Sequence, residues 1–235
     1  MKGGRKLPLK GKLRRTLLAS LLVSARDVRT VDQLIDDLWP DRVPAAARAS
    51  LQNLVSGLRR LLGRDLLETT CGGYALAVHE DAVDASRFEQ QVRRALEAPV
   101  GEKVRRLEEA LALWRGSPLI DVRYEDFAQG EIRRLEELRV YALEELIDAK
   151  LELGACATVV PELQRLVHDF PLREALRMHL MVALHRSGRS VEALSTYLDW
   201  RETLKSSWDL EPGQTIQQLW DNIRLNAPDL EVGRG

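Results

Sequence analysis

Two cysteines in 235 residues are too few and too far apart to organise this chain. Cys71 and Cys156 form no C-x-x-C spacing, which argues against a disulfide framework or a cysteine zinc cluster and favours a reduced, cytoplasmic setting. The four histidines (His79, His168, His179 and His185) include no H-x-x-x-H pair and suit surface or core positions better than metal ligation. No G-x-x-x-x-G-K-[ST] loop and no G-x-S-x-G elbow occurs, so neither phosphate cradling nor an activated serine is indicated. No apolar stretch approaches the ~18 residues of a membrane span. The expectation is therefore a protein without catalysis, cofactor, metal or membrane partner. Basic residues before the run Leu17–Ala25 loosely imitate a secretory signal. That run is short and broken by Ala19 and Ser20, and its leucines recur at the spacing of an amphipathic core helix.

Net charge is also nearly absent, at −1, but it is the sum of two opposed halves. Residues 1–78 hold 14 basic against 7 acidic residues, a net of +7, and the remainder carries −8. Such asymmetry points to a nucleic-acid-binding part joined to something else.

Within the basic half, helix signals follow closely. Leu13, Leu17, Leu18, Leu21 and Leu22 make one stripe. Thr30-Val31-Asp32-Gln33 has the form of a capping box, with Leu34, Ile35, Leu38 and Trp39 behind it and Pro40 as a stop. Pro44 is placed to begin a third helix ending near Gly63. At ~100° per residue, Leu51, Leu54, Val55, Leu58, Leu61 and Leu62 share one face of it, while Arg48, Ala49, Gln52, Asn53, Ser56, Arg59 and Arg60 share the other. Between Arg42 and Arg64 there are five arginines and no acid, whereas an ordinary solvated face mixes both signs. Arg can grip guanine and Gln or Asn can grip adenine with two hydrogen bonds, while Ser and further Arg serve phosphate. Leu66–Thr70 and Tyr74–Val78 around a glycine turn read as a hairpin, which puts Thr69 and Thr70 beside DNA. Three helices and a hairpin make a winged helix-turn-helix, with the third helix in the major groove and the wing along the backbone.

The run Leu34–Trp39, the segment Leu51–Gly63 and the turn Gly72-Gly73-Tyr74 resemble the SARP family, the Streptomyces antibiotic regulatory proteins. Their DNA-binding part is of the OmpR type, the effector domain of two-component phosphorelays. The resemblance implies an activator of a biosynthetic, secondary-metabolite gene cluster that binds promoter direct repeats and recruits RNA polymerase. It makes Gln52, Asn53, Ser56 and the helix arginines the DNA-facing set, and the Trp39–Pro44 turn, with Trp39, Asp41 and Arg42, a polymerase contact. The chain departs from the family at three places. The usual opening strand is expected to be cut short; the arginine usual between Ser and Leu in the recognition helix is here Gly57; and the wing turn lacks a basic residue.

The acidic half reads as helices throughout. Phe88, Val92 and Leu96 form one stripe, and Val104, Leu107, Leu111 and Trp114 another, before the break Arg115-Gly116-Ser117-Pro118; a long helix follows over Glu131–Leu153. Gly154 and Gly188 lie 34 residues apart, each followed by an apolar helix and a proline turn, which is the period of tetratricopeptide helix pairs. Leu113–Leu119, Phe170–Glu174, Leu184–Arg189 and Leu210–Gly213 are similar to the activation domain of the same family.

The expected architecture is mainly α: a winged helix-turn-helix over 1–78, a TPR-like all-α helical-repeat domain over 79–228 and a loose tail over 229–235. Double-stranded DNA would be met by Arg48, Gln52, Asn53, Ser56, Arg59, Arg60, Thr69 and Thr70, with Lys10, Lys12, Arg14 and Arg15 on phosphates. RNA polymerase and a second protomer on the DNA are the further partners. The rival reading is a helical-repeat adaptor whose winged helix has become a protein-interaction module.

Overall fold

The structure is a computed structural model that describes residues 9–25 and 27–225; the start of the chain, where a shortened opening strand is expected, and the tail over 229–235 lie outside them. Helix α1 (Lys12–Val23), strand β1 (Arg29–Thr30), α2 (Val31–Leu38), α3 (Ala47–Leu62), β2 (Leu67–Thr70) and β3 (Gly73–Leu76) come first. Then follow α4 (Asp84–Leu96), α5 (Val100–Leu111), α6 (Asp126–Glu152), α7 (Cys156–Asp169), α8 (Glu174–Arg186), α9 (Ser190–Trp208) and α10 (Gln214–Arg224). This is the mainly helical architecture with a small sheet that the sequence patterns imply. Among the described residues, no helix is long and apolar enough to cross a membrane and no group of His, Cys, Asp or Glu could hold a metal ion.

The chain divides into two compact units, one of residues up to Gln90 with Ala112–Arg139, the other of Gln91–Leu111 with residues from Val140 on. The core of the first is built from Leu17 and Leu21 of α1, Leu34, Ile35 and Leu38 of α2, and Leu51, Val55 and Leu58 of α3, closed by Leu67, Tyr74 and Leu76 of the hairpin. The leucine stripe near the N-terminus is thus core: Leu17 and Leu21 are fully buried. Truncating such a leucine to alanine costs about 2–5 kcal/mol. The capping box forms as its spacing requires. The Thr30 side chain accepts from the Gln33 N–H at 3.2 Å, and the Gln33 side chain accepts from the Thr30 N–H at 3.0 Å, satisfying two donors that a helix start leaves free.

The structure adds one strand to the expected hairpin. β3 pairs antiparallel with both β2 and β1 in the order β1-β3-β2, with Thr30 opposite Gly73. A Cβ on Gly73 would stand 2.0 Å from the Arg29 carbonyl oxygen, so this close approach requires glycine. Beneath β1, the Arg29 guanidinium donates to Asp37 and to the Ser20 hydroxyl, which itself donates to Asp37 at 2.6 Å, and α1, α2 and the sheet are joined by one polar knot.

Several boundaries differ from the sequence expectation: β2 starts at Leu67 and β3 spans Gly73–Leu76, and α5 ends at Leu111, so Trp114 lies beyond it. α3 begins at Ala47, not at Pro44; the Pro44 carbonyl accepts the Ala47 N–H in a turn that precedes the helix. α6 begins at Asp126, five residues before the expected start, because Phe127 and Ala128 pack with Val122, Leu119 and Ala19. In the same unit Phe88 and Trp114 meet edge to face at 5.5 Å.

The second unit centres on α7 to α10, with Ile147, Leu163, Leu166, Met181, Ala193 and Ile216 in its core. Gly154 and Gly188 end the preceding helices at φ 78° and 79°, left-handed backbone where glycine carries no steric penalty. The 34-residue period is therefore a repeated helix stop followed by a repeated helix pair.

Candidate nucleic-acid interface

Helix α3 turns Leu51, Val55 and Leu58 inward. The azimuth this leaves outward carries Arg48, Gln52, Asn53, Ser56 and Arg60, all exposed. Their neighbours at three- and four-residue spacings lie on the same surface strip, so two amides, a hydroxyl and two guanidinium groups stand within reach of one groove. Arg48 donates to Asp32 at 2.8 Å, with both side chains at least 70% exposed. Such a surface pair is worth little and a phosphate can replace it. Lys10 is exposed, as are Asp41 and Arg42, while Trp39 is half-buried against the winged-helix core and closes the end of α2.

Other members of the expected set are engaged within the protein. Arg59 donates through Nε to the Leu67 carbonyl at 2.9 Å and through Nη2 to the Thr69 hydroxyl at 2.7 Å, and it lies 5.9 Å from the Tyr74 ring centre. It is a strut that fixes the wing to α3. Thr69 is the acceptor of that strut, and the neighbouring Thr70 hydroxyl is shielded from solvent with no partner among the described residues. Lys12 pairs with Glu125 at 2.9 Å and Arg15 faces Asp121 at 3.6 Å. Arg14 lies over Gly57: an ideal Cβ there would be 3.5 Å from Arg14 Nε and 3.8 Å from its Cζ. The glycine in α3 leaves the space that the α1 arginine covers.

The structure thus gathers Arg48, Gln52, Asn53, Ser56 and Arg60 on one open face. It uses Arg59, Thr69, Lys12 and Arg15 as ties to the hairpin and to the segment that follows Leu119. Sequence reasoning missed Arg29, whose knot with Ser20 and Asp37 holds α1, α2 and the sheet in register. Its only signal was a basic residue between two helices. What the arrangement can do chemically is present amide, hydroxyl and guanidinium donors to an anionic, base-edged surface beside an anchored hairpin.

A family model described as Bacterial transcriptional activator domain matches residues 83–224. The chain is 34% identical over 232 residues to the regulatory protein DnrI of Streptomyces peucetius, covering 92% of this chain and 85% of that protein. With the regulatory protein AfsR of Streptomyces griseus it shares 36% identity over 224 residues, covering 94% of this chain but only 23% of that much longer protein. It aligns with the solved structure of Mycobacterium tuberculosis EmbR in complex with low affinity phosphopeptide at a TM-score of 0.93 and 31% identity, covering 97% of this chain and 63% of that one.

Proposed function

The chain belongs to the SARP family of transcriptional regulators, and from that premise we propose that it activates a secondary-metabolite gene cluster by binding promoter direct repeats through α3 and recruiting RNA polymerase. The observation that carries this reading is the acid-free outer face of α3, where Gln52, Asn53, Ser56 and Arg60 are exposed together beside an anchored hairpin. Gln52 and Asn53 read base edges in the major groove; Ser56, Arg48, Arg60 and Lys10 meet phosphates. Arg59 and Thr69 act at one remove by holding the wing against the DNA backbone, and Arg14 packs against Gly57.

In this reading residues 1–78 are the DNA-binding module and 79–228 the activation domain, working in the cytoplasm. The exposed Asp41 and Arg42 beside Trp39 are the polymerase contact, and tandem repeats bring a second protomer alongside the first. The test is affinity for a promoter fragment carrying the repeats, measured against salt. With three cationic phosphate contacts per protomer (Arg48, Arg60 and Lys10), log K falls with a slope near −2.7 per protomer against log salt concentration, by about 0.9 per phosphate neutralised. A slope near zero, or equal affinity for the repeats and for scrambled DNA, would leave the helical-repeat adaptor as the better reading.

A further inference from the structure

The second unit holds a buried cation that is only partly balanced, by the nearby charge of Glu174. Arg177 on α8 is only 9% exposed. Its guanidinium Nη1 is sealed from solvent with no hydrogen-bond partner among the described residues. Its Cζ lies over the Trp200 ring, 4.0 Å from the ring centre. Glu174, one turn earlier, is committed elsewhere: its Oε2 accepts from the Trp200 indole N–H and from the Gly213 N–H, each at 3.1 Å. Burial pushes the Arg177 pKa down, and the nearby Glu174 charge opposes that shift. A cation taken out of water without a paired anion is destabilising, and a group so perturbed in a cleft marks a candidate binding site.

Arg177 lines a cavity of about 260 Å³ between α7, α8 and α9. Its rim carries Gln164, Asp199 and Thr203, all exposed, and Thr196. The two threonine hydroxyls donate to the Glu192 and Asp199 carbonyls of their own helix, at 2.9 and 2.8 Å. They therefore face the cavity as acceptors, as the Asp199 carboxylate does. The site has a cationic floor and an accepting rim. That combination suits a carboxylate attached to N–H groups, and the rim carboxylate repels a doubly charged phosphate more than a singly charged carboxylate whose neighbouring N–H groups it accepts from. The volume suits one amino-acid residue and excludes a nucleotide.

We propose that this cavity seats a carboxylate borne by a peptide segment of a partner protein, with Arg177 as its counter-ion and the Asp199 and Thr rim receiving adjacent backbone N–H groups. The site lies on helices that the DNA-binding reading does not use, and it stands or falls separately from that reading.

The test uses the full chain and the indole N–H signal of Trp200 in proton–nitrogen spectra, assigned by its loss in Trp200→Phe. The probes are N-acetyl-glutamate N-methylamide, N-acetyl-alanine, the neutral N-acetyl-glutamine N-methylamide, and inorganic phosphate. One or both acids should give a saturable shift with a dissociation constant on the order of 1 mM, as ligand efficiency allows for so small a molecule. The glutamine probe and phosphate should bind at least tenfold more weakly. Whichever acid saturates identifies a side-chain or a terminal carboxylate as the source. Arg177→Met, which removes a buried and only partly balanced cation, should melt no lower than wild type and lose the shift. Arg177→Lys keeps the charge but not the size and shape of the guanidinium and should weaken binding severalfold, which covers the case in which the methionine variant does not fold. The proposal is overturned if neither acid saturates, if phosphate or the glutamine probe binds equally well, or if Arg177→Lys binds the acids as tightly as wild type.

Discussion

Arg59→Ala separates a structural strut from a DNA reader. The substitution removes two donated hydrogen bonds, to the Leu67 carbonyl and the Thr69 hydroxyl, and the cation–ring contact with Tyr74. The Leu67 bond is partly buried, and its carbonyl is left without that donor, a loss of about 1–1.5 kcal/mol; the exposed Thr69 bond adds about 0.5. The Tyr74 contact, at the long end of its range, adds no more than about 0.5. The sum is about 2 kcal/mol, or roughly 4–8 °C in melting temperature for a chain of this size. The assay is thermal unfolding followed by circular dichroism, alongside promoter affinity at two salt concentrations. Arg59→Lys keeps the charge but cannot reach both acceptors, so it should recover little of the lost stability, and the salt slope should stay at the wild-type value in both variants because Arg59 meets no phosphate. A melting temperature within 1 °C of wild type in Arg59→Ala, together with lost DNA binding, would refute the strut.

Three further substitutions test the packing around the interface. Gly57→Ala should stabilise by up to ~1 kcal/mol, because a mid-helix glycine is unfavourable by that amount and the added Cβ meets Arg14 at an ordinary 3.5 Å; denaturant unfolding reads it, and a net loss would mean that Arg14 cannot yield. Gly73→Ala should destabilise by about 3 kcal/mol, since the new Cβ would lie 2.0 Å from the Arg29 carbonyl and the β1–β3 pairing must part; an unchanged melting curve would show that the strands are not held so closely. Thr70→Val exchanges a shielded, unpartnered hydroxyl for a methyl group in a strand and should stabilise by about 1 kcal/mol with promoter affinity unchanged. A fall in affinity would put Thr70 on the DNA after all.

What the sequence reveals of this fold depends on how far apart the interacting groups stand along the chain. The Thr30–Gln33 box and the inward leucines of α3 are local and periodic, and both form as read. Gly154 and Gly188 are legible for the same reason: each stops its own helix. β1 is not, because two residues have no period and its partner Gly73 comes 43 positions after Thr30. The interface was readable only in azimuth. A helical wheel sets Arg59 beside Arg48, but it cannot know that the hairpin returns close enough to take the guanidinium. Likewise the partners of Lys12 and Arg15, Glu125 and Asp121, lie more than 100 residues downstream. Their charge was visible; what it is spent on was not.

The central claim is that α3 reads sequence through Gln52 and Asn53. The most direct measurement is fluorescence anisotropy of the double variant Gln52→Ala, Asn53→Ala on the direct-repeat promoter and on a scrambled fragment of equal length. Both side chains are exposed, so the melting temperature should not move. The predicted result is a loss of about 10- to 100-fold on the repeats per two-pronged base contact removed, with affinity for the scrambled fragment and the salt slope unchanged. Wild-type discrimination retained by the double variant would contradict the claim.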